Sequence, residues 1–314
     1  MDDRAPYIER AFTIEAHEDS YVIDQIEGQV PAYIRGTYYL NGPSRFSRQR
    51  LSYRHWLDGD GMVSALQFGD EVKFTNRFVR SDKFVAEEEA GEPLFRAFGT
   101  AFEGDQLIRG IALATPANVS VHPWDGRLLA FGEQGLPWEL DAATLETHGQ
   151  FTFGGSLNAI TPFSAHPRID RLTGEMFNFG VSFSAKRPQV NLFRFDDRGG
   201  LIYRKRLDLD WPCSMHDFAL SKQHAVFYVN PYILDMQVLM QGGTLMESLS
   251  WEPERGSRLL VAGREEGDQQ AVIPLGQGYC LHLINAFEAD EHLIVDVLEL
   301  ERPVYDQYQV VPDM

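Results

Sequence analysis

Short apolar or alternating runs, bounded by turn residues, fill most of the chain, and this punctuation favours antiparallel sheet over helix. GTYYLNGP, MVSALQFGDEVKFTNRFV, GRLLAFGE, GEMFNFGVSF, QVNLFRFDDRGGLIYRKRL, HAVFYV, SRLLVAG and HLIVDVLEL are rich in Val, Ile, Phe and Tyr, which suit a pleated, half-buried surface. Gly69-Asp70 and Gly199-Gly200 fall inside these segments, Asp125-Gly126 and Thr173-Gly174 at the start of two of them, and all four predict hairpin connections. Strand-turn-strand units recur about every 40 to 50 residues, the spacing of four-stranded propeller blades, although no crisp repeated signature accompanies them. The expected fold class is therefore all-β, a β-propeller ahead of a sandwich. No Gly/Ser-rich linker divides the sequence, so residues 1–314 are expected to form a single domain. The best helical segment is SDKFVAEEEAGEPLFRAF, where Ser81 can cap and Gly91 can stop. Its Glu87, Glu88 and Glu89 are expected on a solvated face.

Composition narrows the class of partner. The net charge of -18 argues against nucleic acid, because neutralising phosphates needs clustered Lys and Arg. Cys213 and Cys280 lie far apart with no CxxC spacing, so neither a zinc ribbon nor a disulfide framework is predicted. The N-terminal MDDRAPYIERAFTIEAHEDS has no apolar core of the kind a secretory signal needs, and no run of about 18 apolar residues follows. The expectation is a cytoplasmic protein. A shallow peripheral contact with a membrane stays open, weakened by the overall acidity, and the oligomeric state is not indicated.

Chemistry has to be sought among nine histidines. His17, His148 and His292 sit in polar, acid-rich surroundings, His224 precedes a strand, and His55 and His122 are more simply structural. His166 in FSAHPRID, His216 in PCSMHDFAL and His282 in YCLHLINAFE each stand at the edge of an apolar or strand segment. Their separations of 50 and 66 residues exclude a local HExxH site. A propeller nevertheless brings the inner strands of successive blades to one axis, where one histidine per blade can meet a shared ion. Imidazole suits iron, zinc, copper or nickel. Spacing alone leaves three unrelated half-buried histidines as the simpler account.

The flanking residues add a resemblance. LNGPSRF (40 to 46), HWLDGDGM (55 to 62), NRFVRSDKF (76 to 84), SAHPRIDRLTGE (164 to 175), MHDFALS (215 to 221) and LHLINAFEAD (281 to 290) together resemble, in collinear order, the carotenoid cleavage oxygenases. That family includes apocarotenoid oxygenases, stilbene dioxygenases and the retinoid isomerase. The resemblance implies a seven-bladed propeller carrying iron(II) on four histidines beneath a short helical cap. His166, His216 and His282 match the first three metal ligands. Glu133, in LLAFGEQGLPWEL, matches the first of the glutamates that orient those ligands, and is expected to accept the remote N–H of His216. The reaction implied is cleavage of a carbon-carbon double bond of a lipophilic polyene by O2, giving carbonyl products.

The sequence also departs from the family. Its fourth histidine, its later glutamates and its closing strands belong to a region well downstream of the third histidine, and the 314 residues contain no match to it. An incomplete copy of a longer enzyme, lacking the last blades, is expected ahead of a naturally shortened one. Stilbene-cleaving relatives handle a phenol with a lysine just before the first orienting glutamate and a tyrosine some thirty residues earlier. Gly132 and Phe98 stand at those places here, which points to an apocarotenoid rather than a hydroxystilbene. The rival readings are a propeller hydrolase, for which no G-x-S-x-G elbow is present, and a polyene-binding protein without oxygenase activity.

Overall fold

Some strands alternate more and less buried residues, as Asp60–Phe68 and His292–Leu300 do, whereas Met176–Ser182 and His224–Val229 are buried almost throughout, as inner strands covered on both faces must be. The computed structural model describes residues 12–13, 15–49, 51–107, 113–182 and 187–305, within which the strands gather into two compact units. In the unit built mainly from residues 1–132 and 137–151, β1 (Ser20–Val22), β2 (Gly36–Ser44), β5 (Asp60–Phe68) and β6 (Val72–Phe78) form a sheet in the order β1-β6-β5-β2. A two-residue ladder, β3 (Ser47–Arg48) with β4 (Leu51–Ser52), interrupts it. A second sheet has the order β10-β9-β8-β7, from β7 (Ser120–Trp124), β8 (Arg127–Phe131), β9 (Trp138–Leu140) and β10 (Thr147–Gln150). Val63, Ala65, Leu128, Ala130, Trp138 and Leu140 pack the two sheets into one core.

The other unit, covering Glu133–Leu136 and Thr152–Tyr308, repeats the plan. β11 (Arg168–Ile169), β12 (Met176–Ser182), β13 (Gln189–Phe195) and β14 (Leu201–Asp208) pair in simple sequence order. In the next sheet β15 (Ala219–Leu220) and β16 (His224–Val229) precede an insertion. It holds the short pair β17 (Tyr232–Leu234) and β18 (Leu249–Trp251) before β19 (Arg258–Gly263) and β20 (Gln269–Pro274) complete the sheet. The hairpin β21 (Tyr279–Ala289) and β22 (His292–Leu300) follows. Phe177, Phe179, Leu192, Phe218, Phe227 and Leu260 form the core between the two four-stranded sheets. All four predicted turn pairs close hairpins, and the all-β expectation holds: among the described residues the helices are short, and none is long and apolar enough to cross a membrane.

The predicted helix is α1 (Asp82–Ala90), with the Ser81 side chain accepting from Phe84 N and Gly91 ending it; α2 (Met236–Met240) lies in the β17–β18 insertion. One expectation is overturned within α1. Glu87 does not lie on a solvated face but is 0% exposed. Its carboxylate takes Lys83 Nζ at 2.9 Å, Arg48 Nε at 3.0 Å and the Tyr53 hydroxyl at 3.1 Å. Asp60 completes the cluster, 2.8 Å from Lys83 and 2.7 Å from Arg48. Two cations thus neutralise two carboxylates away from water. Burial alone would depress the Lys83 pKa, and the surrounding Asp60, Tyr53 and Glu87 charges raise it instead. The run of three glutamates conceals this because the partners that bury Glu87, Arg48 and Tyr53, lie outside the helix, and Arg48 reaches the half-exposed Glu88 as well. Glu87→Ala is expected to cost about 3–5 kcal/mol, because it strands buried positive charge, whereas Glu89→Ala on the exposed side changes stability by less than about 0.5 kcal/mol. Urea unfolding followed by tryptophan fluorescence checks both.

Candidate metal centre

Each of the three histidines enters at the start of a different strand pair. His166 lies two residues before β11, His216 three residues before β15, and His282 on β21. The segment before β11 is held against β12: Ser164 N donates to Phe179 O at 2.7 Å, and Asn178 Nδ2 donates to Ser164 O at 3.0 Å. This crossing needs Gly180, where a Cβ would stand 2.0 Å from Pro162 O. The Ser164 hydroxyl then donates to His216 O at 2.9 Å and accepts from His166 N at 3.2 Å, so one buried side chain ties two histidine backbones together. On β21, Asn230 exchanges two hydrogen bonds with the Cys280 backbone, at 2.8 and 3.0 Å, which fixes the strand two residues before His282.

The result is a convergence of imidazoles. Ring nitrogens of His166, His216 and His282 all lie within 4.8 Å of one another, and among the described residues this is the one His/Cys/Asp/Glu group close enough to share a metal ion. His166 Nε2 and His216 Nε2 are 2.7 Å apart. The ring centroids of His282 lie 5.3 Å from those of His166 and 4.9 Å from those of His216. Two nitrogens each about 2.1 Å from one ion at a right angle stand about 3 Å apart, so the His166–His216 pair is close to the spacing a first-row divalent cation needs, and all three rings have the chemistry for one. Glu133, from the loop after β8, places its carboxylate 2.9 Å from His216 Nδ1, on the side of the ring opposite the nitrogen that faces His166.

Electrostatics separate the three rings. Burial disfavours a charged His216, but Glu133 and Asp217 reverse this and raise its pKa. His282 is exposed, and the burial it does have, together with the positive charge available to His216, lowers its pKa. Three protonated imidazoles would repel at this separation, and a shared metal ion requires that the nitrogens facing it be unprotonated.

The other histidines stay apart from this cluster. His55 is buried, where its Nδ1 accepts from Leu57 N and its ring packs 4.8 Å from Phe98. His122 lies edge-on to Phe131, His224 meets Glu288 at 2.9 Å, and His17, His148 and His292 are exposed. Cys213 and Cys280 are both buried free thiols. Missed by the sequence reading were Ser164, Arg168 and Asp217. Each lies within two residues of a site histidine, and that adjacency is the signal that could have found them.

With this geometry in place, the comparisons are consistent. The profile of the family described as retinal pigment epithelial membrane protein matches residues 11–313, and the chain belongs to this carotenoid oxygenase family. It is 33% identical over 300 residues to the apocarotenoid-15,15'-oxygenase of Synechocystis, covering 91% of this chain and 61% of that protein. It is 31% identical over 281 residues to the isoeugenol monooxygenase of Pseudomonas nitroreducens, covering 88% of this chain and 57% of that enzyme. The solved structure of cobalt-substituted Synechocystis ACO superposes with a TM-score of 0.87 at 30% identity, covering 95% of this chain and 64% of the other. The chain thus spans about three fifths of the length of these relatives.

Gly132 has a structural reason to lack a side chain. A Cβ there would stand 2.4 Å from Thr115 Cγ2 and 2.9 Å from Ala117 N. A lysine therefore cannot simply be restored next to Glu133. Gly132→Ala is expected to lower stability by about 1–3 kcal/mol, read as a fall in Tm; an unchanged Tm would show that residues 115–117 yield easily.

Proposed function

We propose that the chain binds one iron(II) through His166, His216 and His282, with Glu133 accepting the remote N–H of His216. In this reading it is a dioxygenase of carotenoids or apocarotenoids. O2 is added across one carbon-carbon double bond, and one oxygen atom enters each of two carbonyl products. The observation that carries the reading is the meeting of three imidazoles from three separate strand pairs, with a carboxylate behind one of them. The likeness to the Synechocystis structure supports reading the four-stranded sheets as blades of a seven-bladed propeller, in one domain spanning residues 1–314. A cytoplasmic protein with peripheral access to lipid fits a lipophilic polyene substrate.

The residues divide the work. Glu133 holds the proton on His216 Nδ1 and so leaves Nε2 with its lone pair toward the cluster, as a metal-bound histidine requires. His166 and His282 supply neutral donors, and burial together with the His216 charge lowers the His282 pKa in that direction. Iron(II), when bound, supplies a redox-active centre at which O2 is activated. Gly132 and Phe98 present no polar group where a phenol would need one, and this favours an apolar polyene. The isoeugenol monooxygenase relative makes a phenolic alkene the natural competitor.

Two measurements test the proposal. After anaerobic loading of the 314-residue protein, iron is expected near one per chain, with at least a tenfold loss of affinity in His216→Ala and none in His148→Ala. Equal retention of iron by His216→Ala would overturn the site. With labelled O2, both carbonyl fragments of an apocarotenal are expected to carry label, at a rate above that for a hydroxystilbene or isoeugenol. Faster turnover of the phenols would overturn the substrate assignment, and tight polyene binding without label would favour a binding protein.

A further inference from the structure

The three histidine segments share a second meeting point behind the imidazoles. Asp217, directly after His216, has a side chain only 3% exposed. Its two oxygens accept from Arg168 Nη2 at 2.8 and 2.9 Å, from Phe218 N at 2.8 Å and from Leu283 N at 3.1 Å. Arg168 stands two residues after His166, across Pro167, and also donates through Nε to Phe218 O at 2.8 Å and through Nη2 to Leu283 O at 3.3 Å. Leu283 directly follows His282 and is itself buried. One ion pair therefore touches the backbone or side chain beside each of the three histidines.

We propose that the Arg168–Asp217 pair is a positioning device that sets the relative placement of the three imidazoles, an inference that rests on the metal-binding reading of His166, His216 and His282. The pair is not a fourth donor. The Asp217 oxygens are taken up by Arg168 and two backbone N–H groups, and Asp217 lies outside the convergent group. Nor is it an ordinary surface salt bridge, because a partly exposed pair contributes little by charge alone. Its specificity lies in coupling. Arg168 spans two partners, with Nη2 between the two Asp217 oxygens and Nε on Phe218 O, and the same carboxylate satisfies the buried N–H beside His282. Pro167 limits the backbone freedom between His166 and Arg168, so a displacement of the guanidinium is passed to the imidazole. Without the Asp217 charge, the N–H beside His282 and the Arg168 guanidinium lose their shared acceptor, and the Ser164 tie between His166 and His216 does not reach His282.

The test uses Asp217→Asn in the 314-residue chain, beside Glu175→Gln. The latter loses a largely buried Arg194 partner, whose Nε and Nη2 both reach Glu175 Oε1, away from the histidines. Both substitutions are expected to lower Tm. Only Asp217→Asn is expected to weaken cobalt(II) binding, by at least about tenfold as read from the visible absorption of the bound ion. Arg168→Lys, which keeps the charge but not the Nε–H to Phe218 O, is expected to fall between wild type and Asp217→Asn. In the metal-free protein, the ring nitrogen NMR signals of His166 and His282 are expected to move in Asp217→Asn and to stay in place in Glu175→Gln. Wild-type cobalt affinity with unmoved ring signals in Asp217→Asn would overturn the inference. Cobalt binding that survives His216→Ala would instead defeat the metal site, while the metal-free ring signals would still decide whether the pair positions the imidazoles.

Discussion

A buried carboxylate must have its lone pairs occupied, and at Asp217 that requirement joins parts of the chain that lie far apart in sequence. The donors come from residues 168, 218 and 283, so satisfying one charge brings the start of β11, the start of β15 and the middle of β21 into register. The Ser164 hydroxyl adds a second tie between the first two, and Asn230 fixes the third against the end of β16. Polar groups in a low-dielectric interior are costly when unmatched and directional when matched. Apolar packing between the sheets tolerates small slips, and these contacts tolerate fewer. The placement of the imidazoles thus follows from hydrogen-bond geometry laid over a hydrophobic framework.

The two units use buried charge differently. In the first, Arg48, Lys83, Asp60 and Glu87 neutralise one another with Tyr53 in their midst, and burial pushes the Tyr53 hydroxyl up to about 12. Every charge there meets an opposite charge, and the cluster anchors α1 to the strands around it. At the candidate metal centre the balance is not closed. Glu133 and Asp217 bring two negative charges, Arg168 brings one positive charge, and the imidazoles, when neutral as metal donors, bring none.

How much of this was legible in the sequence depended on the range of the interaction. Hairpins were readable because the turn pairs are local: Gly69-Asp70 and Asp125-Gly126 each sit between the strands they join. The helix was readable because Ser81 and Gly91 act within one turn of it. The pairing of β16 with β19 was not, since a helix and a two-stranded ladder intervene and nothing in HAVFYV names its partner. Glu87 was misread for the same reason, as its partner Arg48 lies outside the helix. The three histidines were visible through their flanking motifs, whereas their spacing fits many arrangements. Arg168 and Asp217 stood in those same motifs, but a charge beside a histidine is ordinary, and only the fold reveals that both meet Leu283.

The unclosed charge balance makes the cluster's preference for a cation a consequence of position rather than of overall acidity. A net charge of -18 spread over a surface is screened by salt within about 8 Å, and it neither orients a ligand nor selects among ions. Glu133 and Asp217 act at contact distance, where screening is weak. They also act through different atoms: Glu133 on the Nδ1 side of His216, and Asp217 on the backbone beside His282 and on Arg168. One sets which nitrogen of a ring is free, and the other sets where the rings stand. A metal site needs both, because a correctly protonated imidazole that points away is as poor a donor as a well-placed one with its lone pair occupied.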